Sequence, residues 1–242
     1  MLSDGAAIHT PYGATEALPV ATISSHEILL ETRHATDAGA GTCVGRPVES
    51  IEARVIRVDD TPIEAWDSNL EVDAGVVGEI VVKGPQVTRE YFAAPDQTRL
   101  AKIPDGDGVR HRMGDLGYFD ESGRLWFCGR KTHRVETPDG VMFTVPCESV
   151  FNTHPEVFRT ALVGVGEAGE ELPVLCVELE KGVGRAQHER IRSELLDLGA
   201  GFEHTSGIRT MLFHPAFPVD IRHNAKIGRG ALAAWAAPKV KQ

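Results

Sequence analysis

Apolar and polar positions alternate in short runs through the first half of the chain. Residues 54–58 interleave charged and apolar side chains, residues 78–82 are apolar, and 116–119 and 125–128 flank Asp120-Glu121-Ser122-Gly123. Such period-two runs, separated by Pro62, Gly75, Gly84, Pro85 and Pro104, predict strands. The Asp-Glu-Ser-Gly stretch predicts a hairpin turn. Residues 5–30 are compact and punctuated by Pro and Gly, with a strand predicted over 27–30, and a short helix is predicted over 62–70.

Beyond residue 130 the pattern changes. Segments 134–136 and 141–145 flank Pro138-Asp139-Gly140 as a second hairpin, and 146–153 predicts a helix with Pro146 near its start. Residues 159–165, 172–179 and 208–213 are strand-like. Residues 187–198 carry Ile191, Leu195, Leu196 and Leu198 at near-helical spacing, and 229–237 is an Ala-rich helix. Strands with helices on one side predict a small α+β domain. The join at 130–133 contains neither Gly nor Pro, so any motion between the halves turns on very few residues.

A chain of 242 residues accommodates one large domain or two smaller ones. Its 25 Lys and Arg against 35 Asp and Glu give a formal charge of −10, and no basic block interleaves with aromatics, which argues against nucleic-acid binding. ATP stays compatible, because the local field of a site outweighs net charge. Cys43, Cys128, Cys147 and Cys176 form no CxxC pair and are expected to be buried, reduced thiols. The first residues carry no charged-then-apolar leader and no run is long enough to span a bilayer, so a cytoplasmic protein without an integral membrane segment is expected.

Candidate chemistry clusters in three places. Asp115 precedes the first strand of the Asp120–Gly123 hairpin and Arg130 follows the second, so pairing brings the two charges together. An acid accepting from vicinal hydroxyls beside a planar cation suits a ribose; a surface ion pair has the same signature. In Tyr12-Gly13-Ala14-Thr15-Glu16 the glycine permits close backbone approach, Thr15 offers a hydroxyl to phosphate, Glu16 can hold Mg²⁺ and Tyr12 can stack on a base. Alone, the segment also reads as a solvated turn. Lys226 stands among Arg222, His223 and Arg229, a positive patch suited to phosphate, although loop lysines are commonly just solvated. Gly164-Val165-Gly166-Glu167-Ala168-Gly169 fits GxGxxG, but a strand follows where a helix is required, so it reads as a tight turn. No GxSxG elbow supports a serine hydrolase.

Taken in order, these segments resemble the adenylate-forming superfamily, which comprises acyl-CoA synthetases, peptide-synthetase adenylation domains and luciferases. Residues 12–16 match its YGxTE motif; Gly78-Glu79-Ile80 through Gly84-Pro85, then Tyr91, Pro95 and Thr98, match its GEI…GP…GY…P…T stretch. Asp115 and Gly129-Arg130 match its GD…GR block, and Asn224-Ala225-Lys226-Ile227 stands where the family has SGKI. The resemblance implies a β-barrel-like subdomain of the large domain over 31–131, after its C-terminal edge at 1–30, then a mobile α+β lid over 132–242. Most of the N-terminal doubly wound subdomains would be absent. It also implies that Tyr12 contacts the adenine of the nucleotide, that Gly13 belongs to the nucleotide-binding site, and that Thr15 contacts the phosphate and Asp115 with Arg130 the ribose. Glu16 would hold Mg²⁺, Thr132 would be the hinge and Lys226 the catalytic lysine. ATP would activate a carboxylic acid to an acyl-adenylate with release of pyrophosphate, and a second step would consume the adenylate.

Three departures narrow the resemblance. The hinge is Thr132 rather than Asp or Lys, Glu136 stands where Lys is frequent, and Arg222-His223-Asn224-Ala225 precedes the lysine. With Phe151-Asn152-Thr153-His154-Pro155 and residues 126–131, these features resemble the β-lactone synthetases of bacterial olefin biosynthesis. That implies a long-chain β-hydroxy fatty acid as substrate, lactone closure with loss of AMP, and association with other olefin-pathway enzymes. A fatty acyl-CoA ligase is the alternative. The family's Gly/Ser/Thr-rich phosphate loop has no counterpart here, so a C-terminal portion of an enzyme is expected; its rival is a noncatalytic nucleotide-binding or interaction module.

Overall fold

The computed structural model describes residues 6–220 and 226–240. These form two compact units, 6–34 with 41–132, and 35–40 with 133–220 and 226–240. The first unit contains β1 (His9–Ala14), β2 (Ala17–Ser24), β3 (Thr42–Pro47), β4 (Glu52–Ile56), β5 (Gly78–Lys83), β6 (Lys102–Asp105), β7 (Gly108–Phe119) and β8 (Leu125–Arg130). They make one antiparallel sheet in the order β1-β2-β3-β8-β7-β5-β4, with β6 added on β7. Ala17, Val20 and Ala21 of β2 share a core with Ala53 and Val55 of β4, so strands from opposite ends of the path close over one apolar interior. Gln86, beyond β5, donates to the Pro19 carbonyl at 3.1 Å on the same side. This is the barrel-like subdomain.

Two local expectations fail here. Residues 27–30 are helical, within Ser25–Glu27, a π-turn at Ile28–Thr32 and Arg33–Asp37. Ser24 starts that helix: its hydroxyl accepts from the Glu27 N–H at 3.2 Å, and the Glu27 carboxylate accepts from the Ser24 N–H at 3.0 Å. A capping box of this kind overrides a short apolar run. The helix expected over 62–70 shrinks to one 3₁₀ turn at Ser68–Leu70. Trp66 instead donates its N–H to the Pro104 carbonyl at 2.8 Å, and Ile63, Trp66 and Leu70 pack on Ile56, Val81 and Ile103. The apolar side chains of 62–70 therefore cover the outer face of the sheet from a loop.

The second unit carries the hairpin β9 (Val135–Thr137) and β10 (Gly140–Met142), then α2 (Thr144–Phe151). Helix α1 (Pro95–Ala101) lies in the first unit, before β6. A three-stranded sheet follows, with β11 (Val157–Val165) antiparallel to β12 (Leu172–Leu179), and β12 parallel to β13 (Thr210–Phe213). Helices α3 (His188–Ala200) and α4 (Arg229–Val240) complete it. Leu162, Leu175 and Val177 face Cys147 and Phe151 of α2 and Ile191 and Leu195 of α3, while Ala161, Val163, Val174 and Cys176 face Leu232 and Ala236 of α4. Helices thus cover both faces of the sheet, a correction to the one-sided expectation. The reason lies in β12, whose Val174–Val177 run is buried at four consecutive positions and leaves no face for water. The GxGxxG segment is the β11–β12 hairpin turn, with Gly166 at φ +131° and Gly169 at φ +85°. All four cysteines are buried, and none is in a disulfide.

Candidate active site

The β7–β8 hairpin is built by Asp120. Its carboxylate accepts from the backbone N–H groups of Ser122 and Arg124 at 2.9 and 2.8 Å, and from the Trp126 indole at 3.0 Å. Gly123 closes the turn at φ +74°, a conformation that favours glycine. The resulting register sets Asp115 directly opposite Arg130. Asp115 does not precede the strand, as the pattern predicts, but lies inside it. Arg110, His111 and Arg112 continue β7 backwards, and these polar residues are buried with partners on the sheet, so alternation hides them.

Arg130 donates to Asp115 Oδ1 at 2.8 Å and to the Met113 carbonyl at 3.1 Å. The Tyr12 hydroxyl donates to Asp115 Oδ2 at 2.7 Å, and the Tyr12 ring lies 6.1 Å from that of Phe127. Tyr12, from a separate motif, therefore joins the expected Asp115–Arg130 pair on one carboxylate. Burial pushes the Asp115 carboxyl up from its ordinary range, and the Arg130 charge and the two hydrogen bonds oppose that rise. Burial, then the Asp115 charge, pushes the Tyr12 phenol well above its ordinary value, so it remains a donor. Asp115 is almost fully covered whereas 46% of the Arg130 side chain is exposed, which leaves the guanidinium free to meet a ligand over a fixed acid.

Glu16 stands in the β1–β2 turn, where Ala14 pairs with Ala17. Gly13 is demanded by the turn itself, since a Cβ there would lie 2.5 Å from the Ala17 carbonyl oxygen. Thr15 is exposed. The Glu16 carboxylate accepts from the Tyr91 hydroxyl at 2.9 Å. Burial pushes its pKa up, but the Tyr91 bond, its own backbone N–H, and the nearby His111 and Lys102 outweigh burial and leave it lowered. Around it Lys102 is pushed down to about 8 and His111 to about 4, in both cases chiefly by burial.

The second buried network escapes sequence reasoning. Arg112 donates twice to Glu79 Oε2, at 3.1 and 2.6 Å, and also to the carbonyls of Thr61, Leu100 and Asp59. Lys131 reaches the same Glu79 oxygen at 3.2 Å and the Asp59 carbonyl at 2.8 Å. The available signal was Glu79 itself, a charge at the head of an apolar run. Arg130 and Lys131 are thus both tied to the first unit, and Thr132, exposed in the 3₁₀ turn Lys131–His133, follows directly.

Lys226 is exposed, and its carbonyl accepts from the Asp220 N–H at 3.0 Å beside the Val219–Ile227 bridge. Arg222, His223, Asn224 and Ala225 lie outside the described residues. Arg229 is not part of a free cationic patch: its guanidinium grips Glu148, at 2.9 Å to Oε2, and Glu148 also accepts from the Leu162 N–H at 2.7 Å. His154, Glu156 and Glu194 are spaced to hold a cation, but Arg190 donates to both glutamates, at 2.6 and 2.8 Å.

A family model described as AMP-binding enzyme matches residues 2–92. Over 98% of its length the chain is 54% identical to an olefin beta-lactone synthetase of Xanthomonas campestris pv. campestris, covering 43% of that protein. It is 51% identical over its whole length to the protein of the same name from Stenotrophomonas maltophilia, covering 44% of it. Among solved structures, the amide bond synthetase McbA from Marinactinospora thermotolerans superposes with a TM-score of 0.69 at 25% identity, over 94% of this chain and 42% of that one. The O-succinylbenzoate coenzyme A synthetase MenE from Bacillus subtilis, in complex with AMP, superposes with a TM-score of 0.70 at 21% identity, over 93% and 40%. The chain belongs to the adenylate-forming, AMP-binding enzyme family. Within it, the sequence is similar along nearly its whole length to the olefin beta-lactone synthetases, of which it spans less than half. No helix among the described residues is long and apolar enough to cross a membrane.

Proposed function

We propose that this chain is the C-terminal part of a cytoplasmic enzyme that activates a long-chain β-hydroxy fatty acid with ATP, releases pyrophosphate, and closes a β-lactone with release of AMP. The observation that carries the reading is the convergence of Tyr12 and Arg130 on Asp115. A fixed carboxylate accepting from ribose hydroxyls, flanked by a partly exposed guanidinium, holds a nucleotide at its sugar. Tyr12 lies against the adenine, Gly13 lets the backbone come close to the nucleotide, and Thr15 offers its hydroxyl to the phosphate. Glu16 fits Mg²⁺, being an ionised hard-oxygen donor whose hydrogen bonds leave lone pairs open, and Mg²⁺ characteristically takes one or two carboxylates plus substrate phosphates. When bound, the ion would neutralise charge on the phosphate oxygens.

Lys226 performs the electrostatic work of the first step. As the substrate carboxylate attacks the α-phosphorus, negative charge grows on the phosphate oxygens, and an ammonium placed there lowers the barrier; removing one such group typically costs about 10²–10³ in rate. Thr132 is the pivot that delivers Lys226 for adenylation and withdraws it afterwards, which the anchoring of Arg130 and Lys131 just before it supports. The substrate's own hydroxyl then attacks the acyl carbon, an intramolecular step favoured by high effective molarity. Association with other enzymes of olefin formation belongs to the same reading.

Pyrophosphate release by the full enzyme, measured with ATP and a β-hydroxy fatty acid, tests this. Wild-type release without CoA, lost by about two orders of magnitude in Lys226→Ala, is expected. Undiminished turnover in Lys226→Ala sinks the lysine's role, and CoA-dependent thioester formation replaces the lactone reading with an acyl-CoA ligase.

A further inference from the structure

The GY…P…T stretch is absorbed by none of the roles assigned above, yet it folds directly onto Glu16. The Thr88 N–H donates to the Glu16 carbonyl at 2.9 Å, and the Tyr91 hydroxyl donates to the Glu16 carboxylate at 2.9 Å. One loop therefore holds both the backbone and the side chain of a residue 75 positions away. We propose that Tyr91 is a positioning residue, whose hydroxyl fixes the rotamer of Glu16 so that its remaining lone pairs face the metal of the ATP complex. The proposal rests on the reading of Glu16 as the metal ligand.

The donor is itself held in place. The Tyr91 N–H donates to the Thr98 hydroxyl at 2.9 Å, and that hydroxyl donates to the Ala94 carbonyl at 2.9 Å, closing the loop into the first turn of α1, where Pro95 stands. Lys102, buried, donates to the Thr88 carbonyl at 2.6 Å and hydroxyl at 3.0 Å, and its ammonium lies 5.6 Å from the Tyr91 ring centroid. Ala93 keeps φ +51°, an unfavourable conformation for an L residue that the surrounding contacts maintain. Pro95 and Thr98 thus serve a single purpose, which is to present one phenolic O–H rigidly to one carboxylate. Glutamate has three side-chain torsions, and a freely rotating carboxylate meets a cation in the required orientation only part of the time; a fixed donor removes that loss.

The test is metal affinity in the full enzyme, read from free Mn²⁺ by electron paramagnetic resonance in the presence of ATP. Glu16→Gln and Tyr91→Phe should each raise the Mn²⁺ dissociation constant, Tyr91→Phe by about tenfold, the worth of one hydrogen bond to a charged group. Metal-free ATP affinity should stay within about twofold, since neither residue touches the ribose clamp. If Glu16→Gln weakens Mn²⁺ and Tyr91→Phe does not, or tightens it, the positioning role falls while Glu16 stands as ligand. If Glu16→Gln leaves Mn²⁺ unchanged, the ligand reading fails and takes the proposal with it. Thr98→Ala, which loosens the loop and keeps the phenol, should weaken Mn²⁺ in the same direction by a smaller factor; it decides the matter should Tyr91→Phe not fold.

Discussion

The first unit buries Glu79, Lys102, His111, Arg112 and Asp115, whereas the second covers both faces of its sheet with apolar side chains and, among the described residues, buries one carboxylate, Glu148, against Arg229. The physical costs differ accordingly. An apolar sandwich is stabilised by area removed from water and tolerates change at its surface. A buried charge is tolerable only with its partner in place, and breaking such a pair costs more than the pair contributes. What the difference teaches is a division of labour. The β-rich unit uses interlocked charges to hold polar groups at fixed positions, and the α/β unit is a packed apolar body that, on the proposal above, carries Lys226.

The contrast breaks most visibly at Glu79. Replacing it by alanine leaves Arg112 and Lys131 facing each other without their shared carboxylate, and should destabilise the protein by about 3–5 kcal/mol in urea unfolding. A loss below about 1 kcal/mol would mean that the network is dispensable and the units are alike.

A smaller effect is expected from acid. His111 is buried and neutral, donating from Nδ1 to the Ala101 carbonyl at 3.2 Å, and its pKa is lowered from 6.5 to about 4. Between those values the unfolded chain binds a proton that the folded one refuses, so stability falls as pH drops from about 6.5 to about 4. The loss should reach at most about 3 kcal/mol, and His111→Gln should flatten the curve of urea midpoint against pH over that window. An unchanged slope would relocate the acid sensitivity to other groups.

The smallest effect belongs to the surface of the second unit. Arg190→Ala removes contacts to Glu156 and Glu194, and because this arginine is well exposed and screened by solvent the thermal midpoint should barely move. A shift equivalent to the Glu79 variant would erase the comparison.

Much of this was legible in order along the chain. The Asp120–Gly123 turn, the Asp115–Arg130 juxtaposition, the β11 and β12 strands and helix α3 all follow from local periodicity and turn chemistry. The strand expected over residues 27–30 failed because a Ser24–Glu27 capping box outranked four apolar-leaning positions. The helix over 62–70 failed because Trp66 finds its hydrogen bond across the unit, at Pro104, rather than one turn back. Arg229 looked like a phosphate ligand because its partner, Glu148, is 81 positions away and invisible to any local pattern. His111, Lys102 and Tyr91 went unassigned around Glu16 for the same reason.

The sequence by itself determined the chemistry on offer: a tyrosine, two carboxylates, an arginine and a lysine in motifs whose spacing along the chain matches one enzyme family. It also determined the hairpin that aligns Asp115 with Arg130, because turn and strand periodicity are local properties of a few neighbouring residues. Only the tertiary structure decided that Tyr12 closes on Asp115, that Tyr91 holds Glu16, and that Glu79 binds Arg112 and Lys131 together. Those contacts join residues 33 to 103 positions apart, and they exist because a curling antiparallel sheet brings distant strands together and excludes water between them. A charge so enclosed must find a partner, and which one it finds depends on the fold.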